Sequence, residues 1–483
     1  MLADEPLTPD MTLHQLFLAD LGPELELTAE TLRQASFAVR RNRNDWLLRQ
    51  RSRGVIEMIA HTAEQWLEPD NGFRALALRD GPKDTGWSPA TLARGLDAFF
   101  RSITVESLEA LVAQDLGDNR RLDDFGAGSA EHRTGRTSLA VGPELLVHLT
   151  AGNLPNPALF SMILGLITRS AQIVKCPREA SLLPRLFAHS LAATESKLGA
   201  CLELVAWGHE DRGARALEDQ LFAEADCVTA TGGDAMLADV RPRIPSRTRL
   251  VAYGHRLSLG LIARESLSPY SRKRLVRGMA DDITAWNQLG CLSPHAYYVE
   301  EEASGSAEAL AEELATELER REATEPRGPV GVAESALIRS RRSTFELRAA
   351  AMASLTDRNL NRSLFFEPPA SVRLWASAES TAWTVVLNHD ARFQPSCLHR
   401  FIEIKPVRQW EEILRFAEPH RHQVSTVGVA APDDRLPEIA RRLARWGASR
   451  ICPIGKMQEP PAAWRHDGRP ALGDLVTWTD LET

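Results

Sequence analysis

The stretch Leu145-Leu146-Val147-His148-Leu149-Thr150-Ala151-Gly152-Asn153-Leu154-Pro155-Asn156-Pro157 runs from an apolar strand through a tight turn into a helix. The same texture repeats outward from it. Short apolar runs recur at 145–149, 172–175, 202–207, 227–230 and 249–252, with helix-like segments at 157–169, 182–198, 214–224 and 234–240. Strand and helix alternating in this way predict a parallel sheet covered by helices on both faces. Ligands of such sheets bind beyond the carboxyl ends of the strands. That places 150–156, 175–179, 208–209 and 231–234 on one rim. No GxGxxG is present, so an ordinary Rossmann fingerprint is absent.

Residues upstream, 1 to about 120, read as mostly helical, with apolar residues at helical spacing over 10–21, 28–42, 46–66 and 91–100. A polar segment, 117–136, follows and reads as a linker or exposed loop. Downstream, a second helix-and-strand region spans about 260–425, with helices predicted at 271–286, 307–321 and 343–353 and strands at 296–300, 382–387 and 401–405. A last segment carries a strand at 424–429 and a helix at 436–446. The expected organisation is a helical region 1–120, a nucleotide-binding domain 121–258, a catalytic domain 259–425 and a C-terminal segment 426–483.

A chain of 483 residues is too long for one simple core. Its 43% hydrophobic and 25% charged residues are ordinary for a globular protein, and a net charge of −8 gives no reason to expect nucleic acid as a partner. The cluster Arg339-Ser340-Arg341-Arg342 reads as a solvated face or the rim of an anion site. Six cysteines are scattered without a CxxC, and no adjacent histidine pair accompanies them. Neither a disulfide framework nor a metal site is expected, which fits a reducing, cytoplasmic setting. Met1-Leu2-Ala3-Asp4-Glu5-Pro6 lacks the basic and apolar regions of a secretory signal. The longest apolar stretch, 158–168, is shorter than the roughly 20 residues of a membrane span.

Cys291 lies in Trp286-Asn287-Gln288-Leu289-Gly290-Cys291-Leu292-Ser293-Pro294-His295, between a predicted helix and a predicted strand. Gly290 and Ser293 are small enough to leave room for a substrate beside the sulfur, and a thiolate is a strong nucleophile. A buried, inert thiol is the competing reading. Asn153 offers an amide donor that can stabilise an oxyanion, or it caps a turn. Lys175, at the end of its strand and followed by Cys176-Pro177-Arg178-Glu179, can hold a ribose or phosphate, or it is solvated. Thr231-Gly232-Gly233-Asp234 lets backbone amides approach an anion at a helix start, or it is a simple turn.

The order of these elements is more specific than any one of them. Gly152-Asn153-Leu154-Pro155, Val174-Lys175-Cys176-Pro177, Thr231-Gly232-Gly233 and Asn287-Gln288-Leu289-Gly290-Cys291 resemble the aldehyde dehydrogenase superfamily, and within it the LuxC-type fatty acyl-CoA reductases. The tail Trp464-Arg465-His466-Asp467-Gly468-Arg469-Pro470, followed by Asp474-Leu475-Val476 and Trp478, resembles the C-terminal signature of that family. The resemblance covers roughly Leu139 to the end. It implies an α/β, aldehyde-dehydrogenase-like fold with a Rossmann-like nucleotide-binding domain, an α/β catalytic domain and a helical N-terminal region.

The site that the resemblance implies has Cys291 as nucleophile and Asn153 as oxyanion donor. Lys175, Pro177, Arg178, Thr231, Gly232, Gly233, Tyr253 and Gly254 would contact the cofactor. NADPH is favoured over NADH, because Lys175 and Arg178 tolerate a 2′-phosphate; no metal is implied. Hydrolytic members carry a Glu-Leu-Gly-Gly turn whose glutamate activates water, whereas the matching stretch here is Ala252-Tyr253-Gly254-His255. Without that base the acyl-cysteine is expected to be resolved by hydride or a thiol. His255 and Glu265 remain as candidate substitutes. The superfamily's ribose-binding glutamate is not evident around Gln394-Pro395-Ser396-Cys397.

The expected activity is therefore NAD(P)H-dependent reduction of a long-chain acyl-CoA or acyl-carrier thioester to the aldehyde. The expected partners are that thioester, an acyl-transferring enzyme and further copies of the chain, with Leu475–Trp478 as an intersubunit edge. A hydrolytic aldehyde or semialdehyde dehydrogenase and a catalytically inactive scaffold are the two alternatives.

Overall fold

Leu145–Leu149, buried at all five positions, is the middle strand of a five-stranded parallel sheet in the computed structural model. The structure describes residues 13, 15–21, 27–301, 305–357 and 371–482. The chain divides into two compact units, one formed from Met1–Thr85, Leu96–His255 and Pro461–Thr483, the other from Gly86–Gly95 and Arg256–Pro460.

In the first unit the strands are β1 (Arg136–Val141), β2 (Leu145–Leu149), β3 (Ala171–Cys176), β4 (Leu202–Ala206), β5 (Cys227–Thr231) and β6 (Arg249–Tyr253). Strands β2 to β6 form the parallel sheet, in the order β4-β3-β2-β5-β6. The crossover helices include Asn156–Ile167, Leu182–Thr194 and Ala214–Glu224. Helices Ala29–Asp45, Ser52–Leu67, Gly72–Thr85 and Val105–Leu116 lie in this same unit. Ala29–Asp45 is capped by Thr28, whose hydroxyl accepts from the Thr31 amide, and it buries Leu32 and Val39 in one core with Val147, Ile173 and Val228. The helix expected over 10–21 falls partly outside the described residues, and the Met1–Pro6 reading lies wholly outside them. Within them, a single turn Leu18–Asp20 is held by Arg185 and His189 on the Asp20 carboxylate. Strand β1 pairs antiparallel with Thr477–Glu482 in a separate ribbon.

His148 on β2 is fully buried, with Nδ1 2.6 Å from Thr229 Oγ1 and Nε2 2.8 Å from Gln172 Oε1. Gln172 in turn donates to the Met162 carbonyl at 3.1 Å. Gly165 makes room for this amide, since a Cβ there would stand 2.3 Å from it. Burial pushes the imidazole down to about 4. The unfolded state then binds more protons than the folded one between about pH 6.5 and 4, so this residue's contribution to stability falls as pH drops through that window. Glu203 and Asp282, pushed up to about 7 by burial, act in the opposite sense as pH rises. Comparing urea midpoints of His148→Gln and wild type at pH 4.5 and 7 is expected to show a smaller acid loss in the variant.

The second unit holds β7 (Leu257–Ile262), β8 (Pro294–Glu300), β9 (Val372–Ala376), β10 (Thr384–Asn388), β11 (Phe401–Val407), β12 (Val424–Ala430) and β13 (Arg450–Pro453). They form one sheet in the order β13-β12-β7-β8-β11-β10-β9, parallel throughout except for the edge strand β9. Alternation along β8 supplies both cores. Tyr297 and Val299 pack with Met279, Ile283, Leu310 and Leu314 of helices Pro269–Thr284 and Ser306–Thr324. Ala296 and Tyr298 pack on the other side with Ile413, Leu443 and Trp446. Residues 426–460 belong to this unit and 461–483 to the first. Among the described residues, no helix is long and apolar enough to cross a membrane, and no three His, Cys, Asp or Glu side chains cluster as a metal site would need.

Candidate active site

Helix Pro269–Thr284 does not run on to Trp286. Trp286, Asn287 and Gln288 adopt φ of 50°, 52° and 64°, the left-handed region that costs a residue with a Cβ about 1–2 kcal/mol. A second left-handed run, Leu398, His399 and Arg400 with φ of 65°, 56° and 66°, locks onto the first. The His399 amide donates to the Asn287 carbonyl at 3.1 Å, and Arg400 Nε donates to Asn287 Oδ1 at 2.9 Å. Asn287 Nδ2 donates to the Arg327 carbonyl, and Gln288 Nε2 to the Pro294 and Phe401 carbonyls. Trp286 is seated on Gly95, where a Cβ would stand 2.2 Å from the indole. Backbone strain held by this many partners is found where a fold must aim a side chain.

Cys291, four residues beyond Asn287, is half-buried on the turn just before β8. Its carbonyl accepts from Ser258 Oγ at 2.7 Å, and Ser258 Oγ accepts from the Thr426 amide at 3.2 Å. The turn closes with the Ser293 amide on the Gly290 carbonyl. Ser293 is fully buried and its hydroxyl accepts from Gln458 Nε2 at 2.8 Å, so it braces the loop rather than opening space beside the sulfur. Burial pushes the other five thiols up, Cys176, Cys397 and Cys452 to about 11 and Cys201 and Cys227 to about 12, which makes them poor nucleophiles.

Glu265 cannot serve as a base at Cys291. It follows the carboxyl end of β7, whereas Ser258, which holds the Cys291 carbonyl, is at the amino end; the four residue steps from Ser258 to Ile262 alone span about 13 Å. Its carboxylate is also bound by Arg435 at 2.7 Å, within a cluster that includes the buried Glu300.

In the first unit, register aligns Leu149 with Lys175 and with Ala230, so the loops after β2, β3 and β5 leave one rim of the sheet. Asn153 is exposed in the loop after β2. That loop is tied to the next by the Thr150 amide on the Lys175 carbonyl, and Gly152 abuts the Pro177 ring. Lys175 Nζ lies 5.6 Å from the Trp207 ring centre, and burial pushes its ammonium down. Arg178 is engaged by Asp211 at 2.6 Å. The Gly232 amide donates to the Tyr253 carbonyl, joining the β5 and β6 ends. At Gly233 an added Cβ would meet nothing within 4 Å, so packing does not demand the glycine and open space lies before it. With the Lys175 cation on the same rim, these residues fit a nucleotide. The Asp234 carboxylate accepts from the His255 amide and closes against Gly254. The Tyr253 ring is stacked on His466 at 4.5 Å and lies 4.8 Å from the Arg469 guanidinium, so both tail residues act here as its cover. The Ala252 side chain carries no ionisable group, and its carbonyl is held by Arg469 at 2.8 Å.

Sequence reading passed over Ser258, Gln458, Arg400 and Arg450, polar side chains far from Cys291 in the chain that meet its loop only through the sheet.

Comparison with solved structures places this arrangement in the aldehyde dehydrogenase fold. Bifunctional proline utilization A superposes over 95% of this chain and 45% of its own with a TM-score of 0.68 and 16% identity. Aldehyde dehydrogenase 21 from Physcomitrella patens superposes over 94% of this chain and 91% of its own with a TM-score of 0.62 and 11% identity. The model of the acyl-CoA reductase (LuxC) family matches residues 47–478, so the chain belongs to that family. It is 25% identical over 436 residues to the long-chain acyl-protein thioester reductase 2 of Photobacterium leiognathi, covering 89% of this chain and 82% of that protein.

Proposed function

We propose that this protein reduces a long-chain acyl thioester, on coenzyme A or a carrier protein, to the aldehyde through an acyl group held on Cys291. The observation that carries the reading is the braced Cys291 turn combined with alanine at 252 and a distant, engaged Glu265. Cys291 attacks the thioester carbonyl carbon, and the carrier thiolate leaves as the new thioester forms. The Cys291 amide and the Asn153 side chain stabilise the oxyanion of that step. Bound nicotinamide supplies the hydride that reduces the acyl-cysteine. Collapse then breaks the carbon–sulfur bond to Cys291, returns the thiolate and releases the aldehyde.

Gly233, at the helix start, would face the cofactor's phosphates and Lys175 its ribose, with Thr231, Gly232, Pro177 and Gly254 shaping the rim. NADPH is the favoured donor, and the preference rests on Lys175 because Arg178 is taken by Asp211. The family relationship favours an acyl-transferring partner, since a related protein is named for acyl-protein thioesters. The exposed strand Thr477–Glu482 is a candidate edge for a homo-oligomer. A cytoplasmic location accords with six unbridged cysteines.

The test is a panel of acyl-CoA chain lengths with NADPH or NADH, following absorbance at 340 nm and aldehyde. Thioester-dependent oxidation, greatest with long chains and NADPH, is expected. Oxidation of aldehyde to free acid without any acceptor thiol would replace this reading with the hydrolytic one.

A further inference from the structure

Arg450 opens β13, and its backbone is in register with Thr426 of β12. The Thr426 amide donates to Ser258 on β7, which in turn donates to the Cys291 carbonyl. The amino ends of four neighbouring strands therefore bring Arg450 to the same end of the sheet as the nucleophile loop. Its guanidinium holds a second loop there, donating to the Met457 carbonyl at 2.6 Å and the Lys456 carbonyl at 2.7 Å. The next residue, Gln458, donates to Ser293, two residues beyond Cys291. From its other side the same loop is held by buried Asp282, whose carboxylate accepts from the Gly455 amide at 2.6 Å and the Met457 amide at 2.9 Å.

Building on Cys291 as nucleophile, we propose that Arg450 is a positioning residue: it fixes the 455–458 loop against Ser293 and holds a permanent positive charge towards the thiolate form of Cys291. An opposite charge nearby favours the ionised thiol, which is the reactive form. Cys452, Asp282 and Cys291 are among the groups that interact electrostatically with Arg450. Neither Cys452 nor Asp282 carries a full negative charge at neutral pH. Burial pushes the Cys452 thiol up to about 11 and the Asp282 carboxyl up to about 7, so the first is neutral and the second only partly ionised. Asp281 lies next to Asp282, Lys456 is paired with Glu459 at 2.6 Å, and His295 on β8 accepts from the Ser396 amide. Arginine suits the post because its planar fork spans two carbonyls while staying charged.

The experiment is the rate of Cys291 alkylation by iodoacetamide against pH, read on the Cys291 peptide by mass spectrometry. In wild type the midpoint is expected below the ordinary thiol value of about 8.5. In Arg450→Gln it is expected to rise by about one unit, slowing alkylation near pH 7 about tenfold. Arg450→Lys keeps the charge and is expected to keep the profile near wild type, while lower kcat reports the lost fork. Superimposable profiles for wild type and Arg450→Gln, or a lysine variant shifted as far as the glutamine one, would overturn the proposal. So would a wild-type midpoint at or above 8.5, which needs no variant to fold. Full thioester reduction by Cys291→Ala would instead remove the reading of function and leave these profiles as measured.

Discussion

Replacing Cys291 with alanine is expected to lower kcat/KM for thioester reduction by at least about 10³-fold, while the melting temperature stays within a few degrees of wild type. The loss is large because no other thiol can stand in: the other five are pushed up to about 11 or 12 by burial. Stability is spared because the loop is held by its neighbours and not by the sulfur. Ser258 holds the Cys291 carbonyl and Gln458 holds Ser293. Cys291→Ser is expected to be nearly as inactive, since a hydroxyl needs a base to attack and Glu265 is at the far end of β7. Steady-state kinetics on both variants, with thermal melts beside them, checks the pair. A serine enzyme of near-wild-type rate would point to a base in the site that this account does not contain.

The second large effect concerns Arg400. It is fully buried and joins Asn287 Oδ1, Glu322 Oε2 and the Glu325 carbonyl at 2.9, 2.9 and 3.0 Å. Burial pushes its guanidinium down to about 10, which still leaves it charged at neutral pH. Arg400→Leu is expected to destabilise the protein by about 3–5 kcal/mol, towards the lower end because Glu322 keeps some contact with water. Activity is expected to fall further than the folded fraction does. With Arg400 gone, Asn287 loses one of the three partners that hold it in the left-handed conformation four residues before Cys291. Urea titration gives the stability change. Rates measured well below the unfolding transition report the displaced loop. Unchanged kcat in a fully folded Arg400→Leu protein would show that the paired left-handed turns do not aim the thiol.

These effects mark the boundary of what the sequence makes legible. The central strands were legible because a sheet buried on both faces concentrates apolar residues: Leu145–Leu149 is buried at every position. Helix Leu436–Trp446 was legible because its apolar residues recur at helical spacing. Strands β9 and Thr477–Glu482 were not, one an antiparallel edge and the other exposed along its length. For the candidate site, the turn Asn, strand-end Lys, glycine pair and Cys could be singled out because each is local to a turn. The predicted helix end at Trp286 was wrong by two residues, since nothing local in Ala285-Trp286-Asn287-Gln288 signals three left-handed residues. They exist because Arg400, Arg327 and the 398–400 run hold them. Ser293 misled for the same reason: its partner, Gln458, is 165 residues away. The tail signature was legible as a motif but not as a cover for Tyr253.

An acyl group carried on Cys291 can be seen directly. The protein is mixed with a long-chain acyl-CoA without NAD(P)H, quenched in acid, digested and analysed by mass spectrometry, with released thiol titrated in parallel. About one acyl group per chain is expected on the Cys291 peptide, with one equivalent of free coenzyme A, and loss of the adduct with release of aldehyde once NADPH is added. An unmodified Cys291 in a preparation that still converts the thioester to aldehyde would contradict the acyl-cysteine intermediate.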